Sequence, residues 1–131
     1  MCKPEYVSKS SDPFMQWKSC VETFASYPNV YMKLSGAFSE LSNDASPVDT
    51  ADPKELATRI QAWTDVVFDA FGPQRVMFGS DWPVCNVKGP EGEGSWPVWT
   101  SVVEELLSRR RYTDQEKERV FSGTAREAYA L

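Results

Sequence analysis

Two short β-rich runs, each preceded by an amphipathic helical stretch, constrain this chain more than any other feature of its sequence. They are Val30–Leu34 (VYMKL), which ends at Ser35-Gly36, and Arg75–Gly79 (RVMFG), which runs straight into Ser80-Asp81-Trp82-Pro83. Both read as strands from their β-branched and aromatic content. Strands that alternate with helices imply α/β architecture with parallel pairing. Two strands do not make a stable parallel sheet, because such sheets need helices over their faces and neighbours on both edges, or closure into a barrel. A full eight-stranded α/β barrel takes about 250 residues, with a floor near 200, and this chain has 131. The expectation is a single partial domain over residues 1–131, an incomplete barrel.

The helices are marked by period and by caps. Asp12-Pro13 is an N-cap followed by proline at the first helical position, and Phe14, Trp17, Val21 and Phe24 form one apolar stripe that ends before Tyr27-Pro28-Asn29. The same pair recurs at Asp52-Pro53, with Leu56, Ile60, Trp63, Val67 and Phe71 as the stripe and Gly72-Pro73 as the stop. A third helix is expected from Pro97 to Arg109, with Trp99, Val102, Val103, Leu106 and Leu107 facing inward. Arg109-Arg110-Arg111 at its end suits the helix dipole. Thr113-Asp114-Gln115-Glu116 is a capping-box pattern opening a short helix to about Ser122, which Gly123 is expected to break before a last turn or two through Tyr129. The connections 35–52 and 84–95 show no sustained period and read as long loops, a kind that is usually functional or mobile.

Composition removes several function classes. The chain has no histidine, so no imidazole base, Ser-His or Cys-His pair, or histidine-ligated metal can be completed by it alone. A net charge of −5, with no basic patch beyond Arg109–Arg111, argues against nucleic acid. No apolar run approaches the ~20 residues of a membrane span, and the polar start is no signal peptide. Cys2, Cys20 and Cys85 are odd in number and widely spaced, which fits a cytoplasmic, reducing setting.

Chemistry concentrates at Gly79-Ser80-Asp81-Trp82-Pro83. A carboxylate at the carboxyl end of a parallel strand points to the rim where α/β folds place ligands. There Asp81 is positioned to ligate a metal or take a proton from an attacking water, or else simply to close an Asx-turn. Pro83 is expected to hold Trp82 extended. Lys33 and Ser35 lie at the end of the first strand, as donors to a substrate oxygen or as solvated and turn residues. Trp82 and Trp96 either wall a pocket or pack. Glu91 with Glu93, and Asp65 with Asp69, read as solvated carboxylates, and Cys85 has no neighbour that would make it a nucleophile.

The runs Asn29–Gly36 (NVYMKLSG) and Phe71–Pro83 (FGPQRVMFGSDWP) together resemble the amidohydrolase-related family, in its lactonase-like branch of sugar lactonases and 2-pyrone-4,6-dicarboxylate lactonases. The tail Val120–Leu131 is similar to the family's closing segment, with Thr124 where the family usually carries Asn, a departure expected to weaken the last helix cap. Lys3-Pro4 resembles the segment that follows the sixth strand. The resemblance covers the chain nearly end to end. It implies the C-terminal part of a TIM-type (β/α)8 barrel, about strands 7 and 8 with their flanking helices.

By the same resemblance the activity is hydrolysis of a small lactone or related carbonyl compound, at a C–O or C–N bond. Asp81 would activate the water and Lys33, Ser35 and Trp82 would meet the substrate. A divalent metal, zinc or manganese, belongs to intact relatives of this kind. Asp81 is its ligand here only if another segment supplies the missing histidines. The competing expectation is an inactive fragment, unstable alone or associating with itself or a complementary chain through exposed barrel edges.

Overall fold

Helix formation begins where the first cap-and-proline pair predicts it. The computed structural model describes residues 12–41, 48–91 and 94–131, so the expectations for Cys2, Lys3-Pro4 and Glu93 lie outside the described residues. Helix α1 (Asp12–Ala25) buries Phe14 and Val21. Phe24, expected in the same stripe, is 56% exposed, because no described element covers that side of the last turn. The chain then turns into β1 (Met32–Leu34).

Strand β2 (Val76–Phe78) pairs with β1 in parallel, with Met32 opposite Val76 and Leu34 opposite Phe78. Hydrogen bonds from Met32 N to Arg75 O (2.8 Å) and from Gly79 N to Leu34 O (3.1 Å) carry the ladder one step beyond each end. These two strands are the whole sheet among the described residues, and each keeps one edge unpaired.

The crossover between them contains α3 (Pro53–Phe71). Its N-cap Asp52 accepts from Lys54 N at 3.0 Å, and Gly72 closes it at φ 66°, with its N–H donating to Phe68 O. All five expected stripe residues are buried, and Ala57, Thr64 and Phe68 widen the stripe on its flank. Helix α5 (Ser95–Arg109) buries the five expected inward residues against α3. Burying a Leu, Val or Phe side chain contributes about 1.5–3 kcal/mol each, so the α3–α5 contact contributes a large share of the cohesion.

Its polar margin is tied as well. Arg109 donates to Lys54 O at 2.8 Å and to Gln61 Oε1 at 3.0 Å. Arg110 pairs with Asp65 at 2.8 Å and also with Asp69. These two aspartates are therefore bridged across helices rather than only solvated.

Three expectations about irregular chain are corrected. Part of 35–52 is helical: α2 (Ala37–Leu41) buries Ala37 and Phe38, and the Phe38 ring meets Trp99 edge-on at 5.6 Å. That contact is tertiary, so no local period announces it. Part of 84–95 forms α4 (Cys85–Lys88), and α5 starts at Ser95 rather than Pro97. A Cβ on Gly89 would lie 2.1 Å from Ser95 Oγ and 2.3 Å from Cys85 O, so only glycine allows this approach.

Gly123 does not break the C-terminal helix. After α6 (Asp114–Glu118) the chain continues through a π-helical turn, Arg119–Gly123, into α7 (Thr124–Tyr129), and Gly123 itself is helical at φ −59° and ψ −43°. Thr124 is fully buried, and its hydroxyl donates to Pro73 O and Gln74 O at 3.3 Å. The threonine thus anchors α7 to the entry of β2 instead of weakening a cap.

The capping box forms as the sequence predicts. Thr113 Oγ1 accepts from Glu116 N at 3.3 Å, and Thr113 N donates to Glu116 Oε2 at 2.8 Å. The Thr113 hydroxyl also donates to Glu116 Oε2 at 2.8 Å, and the two bonds to that carboxyl, from the Thr113 backbone first and its hydroxyl second, hold it below the usual glutamate range. A depressed carboxylate pKa contributes stability that is fully present above the unfolded value and lost as pH falls through the folded one. Thr113→Ala is expected to cost about 1 kcal/mol in urea unfolding at pH 7. Its gap from wild type should narrow once the pH drops below the glutamate range.

Candidate active site

The two strands end side by side, and their exits take unusual backbone. Gly36 sits at φ 72° just after β1, and Asp81 at φ 55° just after β2. Left-handed backbone is open to glycine and costs an L-residue roughly 1–2 kcal/mol, with Asp and Asn the most tolerant exceptions. Gly79 gives the close approach: a Cβ there would lie 3.0 Å from the Ser35 side chain. One step further along, a Cβ on Gly36 would lie 3.3 Å from Asp81 Oδ2. The half-buried Asp81 carboxylate therefore leans across to the exit of β1, in a space a side chain on Gly36 would contest.

The walls of this niche are Ala37 and Phe38 of α2, Val84 and Cys85, and Trp99 of α5. Its free volume is about 10 Å3, about enough for a single water. Trp99 Nε1 donates to Gly79 O at 2.9 Å and so pins the exit of β2 to α5. The turn at this exit is made by Ser80, whose Oγ accepts from Trp82 N at 3.3 Å, while Asp81 O accepts from Cys85 N and leads into α4. The peptide between Trp82 and Pro83 is cis, and the Trp82 side chain is 70% exposed. Cys85 is buried. Burial first and the Asp81 charge second push its thiol up, the opposite of what a nucleophile needs.

The structure brings some of the singled-out residues together and separates others. Ser35 lies against Gly79 but does not line the Asp81 niche; it borders a separate groove with Lys33, Leu34 and Trp63. Trp82 and Trp96 border one open concavity with Ser80, a residue that also lines the niche. Lys33 projects from the face of β1 opposite Leu34, where its Nζ lies 6.0 Å from the centroid of the Tyr129 ring. Next to it Tyr31 donates to Glu127 at 2.9 Å, a bond that raises the Tyr31 hydroxyl. Glu127 is in turn lowered, by Arg119 first and Tyr31 second. Lys33 is thus engaged with α7 rather than with the strand exits. Phe38 and Trp99 were absent from the sequence-based candidates for the site. Trp99 carried only a core signal, and Phe38 sat in a stretch without period.

A metal needs more than this niche offers. Open metal sites use about three protein ligands. Among the described residues no three His, Cys, Asp or Glu side chains converge, and the chain has no histidine. By its own residues it does not fit such an ion. No helix among the described residues is long and apolar enough to cross a membrane.

Comparison with known proteins connects this geometry to a family. The chain is 33% identical over 129 residues to an L-rhamnono-gamma-lactonase of Scheffersomyces stipitis, covering 98% of itself and 36% of that protein. It is 34% identical over 116 residues to an L-fucono-1,5-lactonase of Burkholderia multivorans, covering 88% of itself and 36% of that protein. A crystal structure of an amidohydrolase from Burkholderia multivorans superposes with a TM-score of 0.74 at 31% identity, over 98% of this chain and 41% of that one. A second crystal form, with bound zinc, gives 0.71 over 96% and 40%. The chain therefore spans a little over a third of the length of these relatives. The family model described as amidohydrolase matches residues 9–131, which takes in both strands and the Asp81 niche between their exits, and the chain belongs to the amidohydrolase family.

Proposed function

We propose that this chain contributes strands 7 and 8 of a TIM-type (β/α)8 barrel, and that Asp81 is its water-activating carboxylate in the hydrolysis of a small lactone. The observation that carries this reading is the Asp81 side chain set in left-handed backbone at one strand exit and leaning over Gly36 at the next. Unfavourable backbone at an acidic residue is the sort of cost that persists where a side chain must be aimed.

In that role the carboxylate accepts a proton from water as the water oxygen bonds to the lactone carbonyl carbon. Collapse of the tetrahedral adduct breaks the ring C–O bond, and the proton passes to the departing ring oxygen. The product is the open hydroxy acid. Ser35 and Trp82 flank this place as substrate contacts. For Lys33 to join them its side chain must leave Tyr129. Occupation by a divalent metal at Asp81 requires histidines from another segment, and no step is assigned to it here. Three cysteines without a pairing pattern support a cytoplasmic setting. The test is sugar-lactone hydrolysis by the chain and by Asp81→Asn, where equal rates remove Asp81 from the mechanism.

A second reading has its own support. Among the described residues each strand keeps an unpaired edge, and Trp82, Val84, Val87 and Trp96 are exposed close to the strand exits. An open edge beside apolar surface favours pairing with another copy or a complementary chain. Size-exclusion chromatography with light scattering over a tenfold concentration range is expected to show association. A single monomeric species with a sharp cooperative melt would argue against it.

A further inference from the structure

We infer that Trp99 is the positioning residue for Asp81: its indole N–H fixes the turn that aims the carboxylate, and with Phe38 it forms a link through which α2 sets that aim. The inference rests on the reading of Asp81 as the water-activating group, and it goes further by naming what holds that group in place. Asp81 stands in left-handed backbone at φ 55°, a conformation an L-residue keeps only where its surroundings impose it. Two bonds inside the turn shape it, from Trp82 N to Ser80 Oγ and from Cys85 N to Asp81 O. Both are local, and a turn held only by local bonds can swing as a unit.

Gly79 ties that turn to the rest of the fold on two sides. Its N–H donates to Leu34 O at 3.1 Å, and its carbonyl accepts from Trp99 Nε1 at 2.9 Å. The first bond extends the ladder and sets Gly79 beside the exit of β1. The second fixes the tilt of the planar unit that joins Gly79 to Ser80, because a carbonyl bonded along a set direction leaves its peptide plane little rotation. That plane lies one residue before Asp81. Rotating it carries the carboxylate toward or away from Gly36, where a Cβ would already lie 3.3 Å from Asp81 Oδ2. The niche has about 10 Å3 of free space, so a small swing moves the group out of it.

The donor is itself held. Trp99 is buried, and its ring meets Phe38 at 5.6 Å between centroids with an interplanar angle of 75°. Both rings line the niche, together with Gly36 and Ala37. Helix α2 begins directly after Gly36. The segment leaving β1 therefore reaches Asp81 by two routes, Gly36 against the carboxylate and Phe38 through Trp99 and Gly79. A donor mounted on a close-packed core ring keeps its place far better than one on a solvated side chain, which is what a group aimed at a reacting water requires.

The test compares Trp99→Phe and Phe38→Leu with Ile60→Val, a trim of a buried α3 residue that does not line the niche. All are measured well below their melting temperatures. In sugar-lactone hydrolysis Trp99→Phe is expected to lower kcat by about 10–100-fold, the range for a small misplacement of a reacting group, with KM unchanged within about twofold. Phe38→Leu, which keeps the indole N–H, should lose less, and Ile60→Val should match wild type. In an Asp81→Asn background Trp99→Phe should add less than about threefold, since its effect runs through Asp81. Nuclear magnetic resonance reads the aim without turnover. The three-bond HN–Hα coupling of Asp81, which follows φ, should change in Trp99→Phe, and the Overhauser contact from Asp81 Hβ to Gly36 Hα should weaken. An unchanged coupling and contact, an unchanged kcat beside an active wild type, an equal loss in Ile60→Val, or a full further loss in the Asp81→Asn background would overturn the inference. If Asp81→Asn were as active as wild type, the water-activating role would fail, and the resonance measurement would still decide whether Trp99 aims this side chain.

Discussion

Trp99→Ala is expected to lower the unfolding free energy by about 3–5 kcal/mol, the range for removing a large aromatic side chain from a core. The residue is 2% exposed, and three links run through it. Its ring packs in the α3–α5 core and meets Phe38 of α2 in a T-shaped contact, and its Nε1 holds Gly79 O at the end of β2. Domains of this size are stable by about 5–15 kcal/mol, so the loss would take a large share of the total. Trp99→Phe goes part of the way to separating the causes, because it keeps an aromatic ring while removing the donor and the smaller ring of the indole. Its cost should fall to about 1–3 kcal/mol, the range for leaving a buried carbonyl unpaired. Urea unfolding of the two variants reads both values. A loss below about 1 kcal/mol for the alanine variant would mean that α2, β2 and α5 are not joined at this residue.

Much of this fold was legible because its signals are local. Two Asp-Pro starts, a Gly-Pro stop, the Thr113–Glu116 box and apolar stripes at helical period each point to an element from a few neighbouring residues, and the helices appear there, although Phe24 falls outside its buried stripe. The short strands were legible for the same reason, apart from trimming at their ends. What escaped depends on partners far along the chain. Helix α2 forms against Trp99, some sixty residues away, and shows no stripe of its own. Gly123 looked like a breaker because glycine is flexible in isolation, yet buried Thr124 and its bonds to Pro73 and Gln74 keep the chain helical through it.

The niche was half legible. That an acidic residue ends a parallel strand can be read from GSDWP. That its side chain lies against Gly36 cannot, because it depends on the register of two strands separated by α3. The exposure of Phe24 and the two sheet edges left free among the described residues follow from the same physics. The sequence patterns specify surfaces for burial, and the described elements cover only some of them.

Replacing Asp81 by asparagine should slow sugar-lactone hydrolysis by about 10²–10⁴-fold, the usual contribution of a positioned proton acceptor. The change is well suited to the question. Asparagine has nearly the same size and shares aspartate's tolerance of left-handed backbone, so the φ of 55° stays affordable and the fold should hold. What disappears is the ability to take a proton from water. Asp81→Glu provides the contrasting case. It keeps the carboxylate but lengthens the arm inside a niche with about 10 Å3 of free space, where the longer group must move out past Gly36 and Val84. A displacement of about 1 Å can cost roughly 100-fold when geometry governs the rate. Both variants should therefore be slow, with unchanged melting for the asparagine form and a lower melting temperature for the crowded glutamate form. If instead glutamate were slow and asparagine fully active, the niche would matter only for its shape. The proton would then have to be accepted by a group outside it.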